Sequence, residues 1–513
     1  MRKYLLFLWL FPALYAQAQL NLQLLAHVPN DSGVTLAGCW HYVDSSANEY
    51  ALIGHRLGLD IYDVSVPAAP VRRFRVPGLV NNWREVKVWN GFAYVGSEAN
   101  GSGITIVDLR QLPDTVQYKV FTGEGLTQNQ ILRSHTVGAV DGYLYVYGGP
   151  EPLNGAVIFS LEDPWNPVYV GKYATNYLHD GFVRGDTLWG SEIYKGQFSV
   201  IDIQDRANPV LLATQPTPAL FNHNSELSKT GQYLFTADEV PSAPLGAYDV
   251  SDLGNITLTD IYLPSQRPAG EVHNVRHFGD DYLVCPSYQG QLTIVDASDP
   301  YNLIETGWAI MGNSLVWDAN PYLPSGIIFA TAKAEGMFIY QPTYTRAARI
   351  QGVITDANSG FTLTDAKIFV ENTSNADTTN MDGKYATGAA QSGIYSIRVE
   401  RSGYIGQTTA QELTAGTVKE VNFALQPENV SVSDAVSRQN ARIFPNVVQN
   451  GFTVELTAGF AAQSPWLRLH DAQGRPVLNR QLSATATYIP LDVPSGVYMG
   501  TVGNTGFKVV VVK

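Results

Sequence analysis

The sequence predicts an all-β chain, a seven-bladed β-propeller followed by two small β-sandwich domains. Three observations carry this expectation. Charged residues make up only 15% of the chain while Gly, Tyr and Trp are plentiful, a composition of strands and turns rather than of amphipathic helices. One strand-and-turn segment recurs seven times with a period of about 46 residues. Beyond residue 345 that period stops, and shorter strand patterns punctuated by Gly and Asp take over. A chain of 513 residues is also too long for a single core.

The chain opens with Arg2 and Lys3, an apolar run from Tyr4 to Tyr15, and the small residues Ala16 and Ala18 on either side of Gln17. This is the pattern of a secretory signal over residues 1–18, cleaved after Ala18. No later stretch holds ~18 apolar residues in a row, so no transmembrane segment is expected in the mature chain. The net charge of −13 and the lack of a Lys/Arg cluster argue against nucleic acid as a partner. Cys39 and Cys285 fall in different repeats, which predicts two buried free thiols rather than a disulfide.

The repeat is a Gly, an alternating apolar strand, an Asp and a turn containing Pro. It runs from Gly58 to Asp63, Gly103 to Asp108, Gly155 to Ser160, Phe198 to Asp202, Gly246 to Asp249, Leu292 to Asp296, and Gly336 to Gln341. Each copy divides into four strands, as a propeller blade requires, which assigns residues 19–345 to seven blades. The Asp closing each third strand is read as a turn former, its carboxylate capping nearby backbone N–H groups. The seventh copy lacks a fourth strand. The segment from Leu20 to Val28 has the length and alternation to supply it, so pairing with residues near 336–341 is expected, leaving no open edge.

The segment Leu292 to Asp296 reads Leu-Thr-Ile-Val-Asp, and Ser134 to Val137, His179 to Leu188 and Thr236 to Glu239 carry related patterns. In these the chain resembles the LVIVD-repeat propellers of choice-of-anchor B surface proteins. The resemblance implies a propeller on an exported protein and brings no established reaction with it.

Residues 349–425 read as a small sandwich. Its strands include Ile350 to Asp356, Ala366 to Val370 and Gly393 to Val399, and a hairpin turn is expected at Asp382 and Gly383. Their order resembles the carboxypeptidase regulatory-like (transthyretin-like) module. No His-Glu-x-x-His zinc set accompanies it, and the acidic stretch from Asn375 to Gly383 fails the EF-hand spacing, with Thr378 at the first ligand position. Residues 426–440 are polar and read as a linker. Residues 441–513 form a last β module with Ile443 to Asn446, Leu467 to Gly474, Gly496 to Tyr498 and a basic, Val-rich end at Lys508 to Lys513. It is similar to the C-terminal sorting domain of type IX secretion in Bacteroidota-type bacteria, although Phe444 and Val447 replace the ends of the commoner Tyr-Pro-Asn-Pro. That resemblance implies the type IX secretion machinery as a partner, and secretion or attachment at the outer cell surface after export through the inner membrane.

First strands of blades lie innermost, so their starting residues ring one mouth of the channel. In four successive repeats that residue is His: His135, His179, His223 and His273. Arg84-Glu85, Trp317-Asp318 and Trp40-His41 stand nearby in the other three. A second set, His55, Glu98, Glu192, Asp238, Glu239 and Glu335, follows the second strands. Neutral imidazoles are good transition-metal ligands, with carboxylates behind them to fix the rings. The same pattern also arises when duplication copies a structural His bonded to a neighbouring blade's backbone. Loops taken as exposed offer Trp83, Trp189, Tyr194, Tyr288 and Trp317, with Glu192 and Glu239, as a surface for an unknown protein or glycan ligand. The expected function is therefore a binding or adhesion protein without enzymatic activity. The alternative is a metal-dependent enzyme at the His-lined mouth.

Overall fold

The computed structural model describes residues 19–428, 440–503 and 505–513. The signal segment 1–18 and most of the 426–440 linker lie outside the described residues. Among the described residues the fold is all-β, with short 3-10 turns and one four-residue helix, Ala458–Ala461. Among the described residues no helix is long and apolar enough to cross a membrane. The chain forms two compact units, Met1–Pro427 and Glu428–Lys513.

The repeats become seven antiparallel sheets, none closed on itself. In the first five sheets four consecutive strands pair in chain order, the first sheet being Leu36–Val43, Glu49–His55, Gly58–Asp63 and Val71–Pro77. The sixth begins at Arg276–Phe278 and carries Gln19–Leu20 on its far edge. The seventh takes its outer strand from the start of the chain. Leu22–Val28 pairs antiparallel with Gly336–Pro342, His27 opposite Phe338, as the alternation of that segment required.

The turn chemistry is also as read. Asp63, Asp108, Asp202, Asp249 and Asp296 each accept the N–H two residues on, at 2.8–3.1 Å, and Ser160 does the same through its hydroxyl at 3.3 Å. The inner strands, such as Glu49–His55 and Phe92–Ser97, are buried on both faces because neighbouring sheets cover them, while outer strands such as Val71–Pro77 and Val210–Pro216 are largely exposed. Tyr50, Leu52 and Ile61 of the first sheet pack with Val86, Ala93 and Val107 of the second. Equivalent clusters join each later sheet to the next, and a last one joins Phe329 and Ile339 of the seventh to Leu36 and Ile53 of the first. First strands of successive sheets also pack on one another from the first sheet to the sixth. That of the seventh packs on the second strand of the sixth, and the first strands of the seventh and first sheets meet. Cys39 and Cys285 lie in these cores as free, buried thiols.

The second module, from Ala348 to Pro427, is a pair of sheets around Ile350, Ile368, Tyr385, Ile397 and Leu425. Gly383 does sit in a turn, its φ of 72° in the region glycine favours and its N–H on the Asn380 carbonyl. The expected hairpin is not formed. Ala376–Thr378 before the turn pairs with Lys367–Val370, and Lys384–Ala389 after it pairs with Ala348–Asp356, so the turn carries the chain between sheets. The module is tied to the sixth sheet through Asp296, which accepts from Arg346 (2.8 Å), Arg349 (2.9 Å) and the Ala347 N–H (2.8 Å).

The unit Glu428–Lys513 has its own core of Phe452, Leu467, Leu469, Ile489 and Val509 between a three-stranded and a five-stranded sheet.

Candidate metal centre

The four repeated histidines come together. Ring centroids are 3.8 Å apart for His135 and His179, 4.5 Å for His179 and His223, and 4.1 Å for His223 and His273. Local backbone geometry aims one of them. His223 and Trp317 sit where the register of their strands slips, between Asn222 and Asn224 and between Val316 and Asp318. Such bulges redirect a side chain, so this residue and its successor both face the interior of the cycle.

The successors form the supporting layer. Thr136 Oγ1 donates to Asp180 and to the His179 carbonyl, both at 3.0 Å. Asn224 Nδ2 donates to Asp180 at 2.7 Å, and Asn224 Oδ1 accepts the Val275 N–H at 2.9 Å. Asn274 Nδ2 donates to Asp318 at 3.1 Å, and Asp318 in turn accepts from Arg276 at 2.8 Å and from the Cys39 N–H at 3.3 Å. In the first sheet Ala37 and Gly38 occupy the equivalent positions. Trp40 and His41 lie further along the strand, a correction to the alignment read from sequence. The layer after His was missed as a set, and its signal was present: Thr136, Asp180, Asn224, Asn274, Asp318 and Glu85 make that position polar in six of seven repeats.

Two overlapping sets of potential ligand atoms result, each within 4.8 Å of one another: His135, His179 and His223, and His223, Glu239 and His273. Two ligands at ~2.1 Å from one ion lie roughly 3.4 Å apart at tetrahedral angles, so modest side-chain adjustment brings either set onto one ion. His273 Nδ1 is 2.6 Å from the Trp317 carbonyl, and its Nε2 is buried without a hydrogen-bond partner. The carbonyl fixes the proton on Nδ1 and leaves the Nε2 lone pair free, 3.7 Å from Glu239. His135 Nδ1 is held at 2.6 Å by Glu98. The backbone of the next repeat lies against the His179 and His223 rings and favours their protonated forms, but neither Nδ1 reaches a bond of good geometry. The bond to a neighbouring repeat's backbone is therefore real at His273, and it leaves the other nitrogen unspent.

Electrostatics favour the neutral forms of His179, His223 and His273. Burial, then repulsion from the neighbouring imidazoles, holds His179 and His273 well below the usual histidine range, and burial lowers His223 against the pull of Glu239. Behind the rings lies a cavity of about 10 Å³, room for about one water, lined by Glu85, Lys87, His135, Asp180, His223 and Arg276 among others. Burial and the Asp318 charge push Glu85 up to about 7.

The proposed ligand-binding aromatics divide. Tyr194 (76% exposed) and Trp83 (41%) are open to solvent. Trp189, Tyr288 and Trp317 are buried, contrary to the expectation of exposed loops. Trp189 packs with Phe198 and Tyr248 between sheets. Trp317 donates Nε1 to Glu85 (2.8 Å), and Tyr288 stacks on His273 at 4.7 Å and donates to Glu239 (2.7 Å). Glu192 is buried away from the cluster, accepting from Asn176 (2.9 Å) and Gln197 (2.8 Å). Of that set Tyr288 and Trp317 pack on His273, and Glu239 alone adds a potential ligand atom to the histidines.

A search of curated proteins finds no match to the chain. Two family models match parts of it. Residues 278–308, the sixth sheet with Leu292 to Asp296 at its centre, match the LVIVD repeat, a unit that suggests a β-propeller-type extracellular protein. Residues 350–436 match the CarboxypepD_reg-like domain, so the chain joins LVIVD-type repeat sheets to a carboxypeptidase regulatory-like module.

Proposed function

We propose that this chain is an exported, seven-bladed β-propeller protein that holds one transition-metal ion at a mouth of its axis. The observation that carries the metal is the convergence of His135, His179, His223 and His273 with Glu239, with buried nitrogen lone pairs left unpaired. Imidazole-rich sites suit zinc, copper, iron and nickel, and a metal ion relieves the cost of burying unpartnered polar nitrogens. Closure of seven blades is supported by the cyclic order of the sheet-to-sheet cores and by the strand the chain's start adds to the seventh sheet. Export is supported by the signal pattern of residues 1–18, and passage through type IX secretion to the cell surface, in the manner of choice-of-anchor B proteins, by the Gly496 to Tyr498 strand and the Val-rich end. A bound metal with a water beside Glu85 and Lys87 has the parts of a hydrolytic centre. The adhesion reading at this mouth loses three of its five aromatics to the core.

Elemental analysis of the purified mature protein, after incubation with zinc, copper, nickel and ferrous salts in turn, tests the proposal. One metal ion per chain is expected, falling below a tenth in His179→Ala and His223→Ala variants that keep the wild-type circular dichroism. A wild-type protein that retains no metal, or variants that retain all of it, overturns it.

A further inference from the structure

A second cavity system lies away from the histidines, where the carboxypeptidase regulatory-like module meets the fifth and sixth sheets. One cavity of about 470 Å³ runs between the strand Thr257–Tyr262, the turn before Ile304–Ile310, and the module's Ser374 to Asp377. A second of about 540 Å³ continues along Lys384 to Ala386 and Glu420. The two share Thr259, Tyr301, Asp377 and Ala386, so they adjoin along these residues as neighbouring parts of one groove. Each alone has the size of a small-molecule site, and such sites favour junctions between modules.

The groove's chemistry is specific. Asp260 accepts the Leu303 N–H (2.6 Å) and the Ile261 N–H (2.8 Å), and Asp377 accepts the Ala386 N–H (2.7 Å) and the Thr378 N–H (2.6 Å). Every carboxylate oxygen is thus fixed by one backbone donor and keeps a second acceptor site for a ligand. Tyr301 packs edge-on against Tyr233 at 6.2 Å, which orients its ring while leaving it 55% exposed. A divalent cation is the obvious competitor for two carboxylates, but a calcium ion needs six to eight oxygens. The neighbouring carbonyls each already accept one hydrogen bond, Pro300 from Thr259 Oγ1 (2.7 Å) and Thr387 from Asn302 Nδ2 (3.1 Å). Burial, with a smaller push from Asp377, raises Asp260 to about 6 against the two backbone hydrogen bonds, which weakens it as a cation ligand.

We infer that this groove binds a neutral oligosaccharide, its hydroxyls donating to Asp260 and Asp377 and one sugar ring lying on Tyr301. A chain of sugar rings can span two adjoining cavities, and its many hydroxyls match a lining of fixed acceptors beside an aromatic face. The site is independent of the metal centre.

Isothermal titration of the full mature protein with gluco-, manno-, xylo- and chito-oligosaccharides of two to six units tests this. At least one series is expected to bind, weakened tenfold or more by Tyr301→Ala and by Asp377→Asn, retained by Tyr301→Phe, and unchanged in His179→Ala. Tyr301 is exposed, so its Ala variant is expected to keep the wild-type melting temperature, and it remains informative should Asp377→Asn unfold. Failure of every series to bind, binding that survives both variants, or calcium chloride alone binding where no sugar does would each overturn the inference.

Discussion

The same strand-start position does two different jobs on the two sides of the cycle. In the third to sixth sheets it holds His135, His179, His223 and His273, and three of these rings keep a buried nitrogen without a partner. In the seventh, first and second sheets it holds Trp317, Ala37 and Arg84, and the polar atoms there are spent. Trp317 Nε1 donates to Glu85 across the first sheet, a span open only because Gly38 has no side chain. Arg84 turns away to the carbonyls of His55 (3.0 Å) and Leu79 (2.6 Å). Buried polar groups are normally satisfied, and each exception calls for a cause. The contrast separates a half that seals the structure from a half that keeps coordination capacity.

Asp318 is where the sealing half is most exposed to damage. It is fully buried and takes Arg276, Asn274, the Cys39 N–H and its own neighbour's N–H at Ala319. Asp318→Ala takes from the buried Arg276 the carboxylate it hydrogen-bonds, leaving only the more distant Glu226 and Asp180, a loss of about 3–5 kcal/mol. Chemical denaturation measures it, and a loss below about 1 kcal/mol would break the division between the halves. Gly38→Ala is the next largest effect. A Cβ there would lie 2.1–2.7 Å from the Glu85 carboxylate, forcing that group off Trp317. Overpacking of this kind costs about 1–3 kcal/mol. Its signature is a change in Trp317 fluorescence with the metal content unchanged, since Glu85 belongs to neither set of ligand atoms.

The sequence made some of this legible and concealed the rest for identifiable reasons. Period, turn Asp residues and the pairing of Leu22–Val28 with the last repeat strand were readable because each rests on local chemistry or on a count of strands. The His column was readable as a column, because repetition put the residue at one place in four copies. Its convergence was not, since ring-to-ring distance depends on how tightly the first strands pack and on bulges at His223 and Trp317 that leave no composition signal. Trp189, Tyr288 and Trp317 were read as exposed because they sit near loops, yet the adjacent sheet covers them. The turn at Asp382 and Gly383 was legible, but which strands flank it in space was not, because a turn fixes direction and not pairing.

A finer contrast lies within the fifth sheet, between its mouth residue His223 and the interior residue Glu226 three positions on. Burial moves both, in directions that oppose each other with pH. His223 is depressed, so the stability its neutral form brings is present above 6.5 and is lost as pH falls below that value. Glu226 is raised by burial from 4.5 to about 7, against the pull of Arg276, while its Oε1 accepts the Tyr322 hydroxyl at 3.1 Å. Between those values the native chain keeps a proton that the unfolded chain has released. Stability therefore falls as pH rises from 4.5 through 7, by at most about 3 kcal/mol. Glu226→Gln removes this dependence and leaves that of the histidines untouched. Melting curves of both proteins should differ little at pH 5 and diverge toward pH 8, the variant becoming more stable by about 1–2 kcal/mol. A difference independent of pH would mean that Glu226 ionises freely in the folded chain, and that the interior layer is wetter than its burial implies.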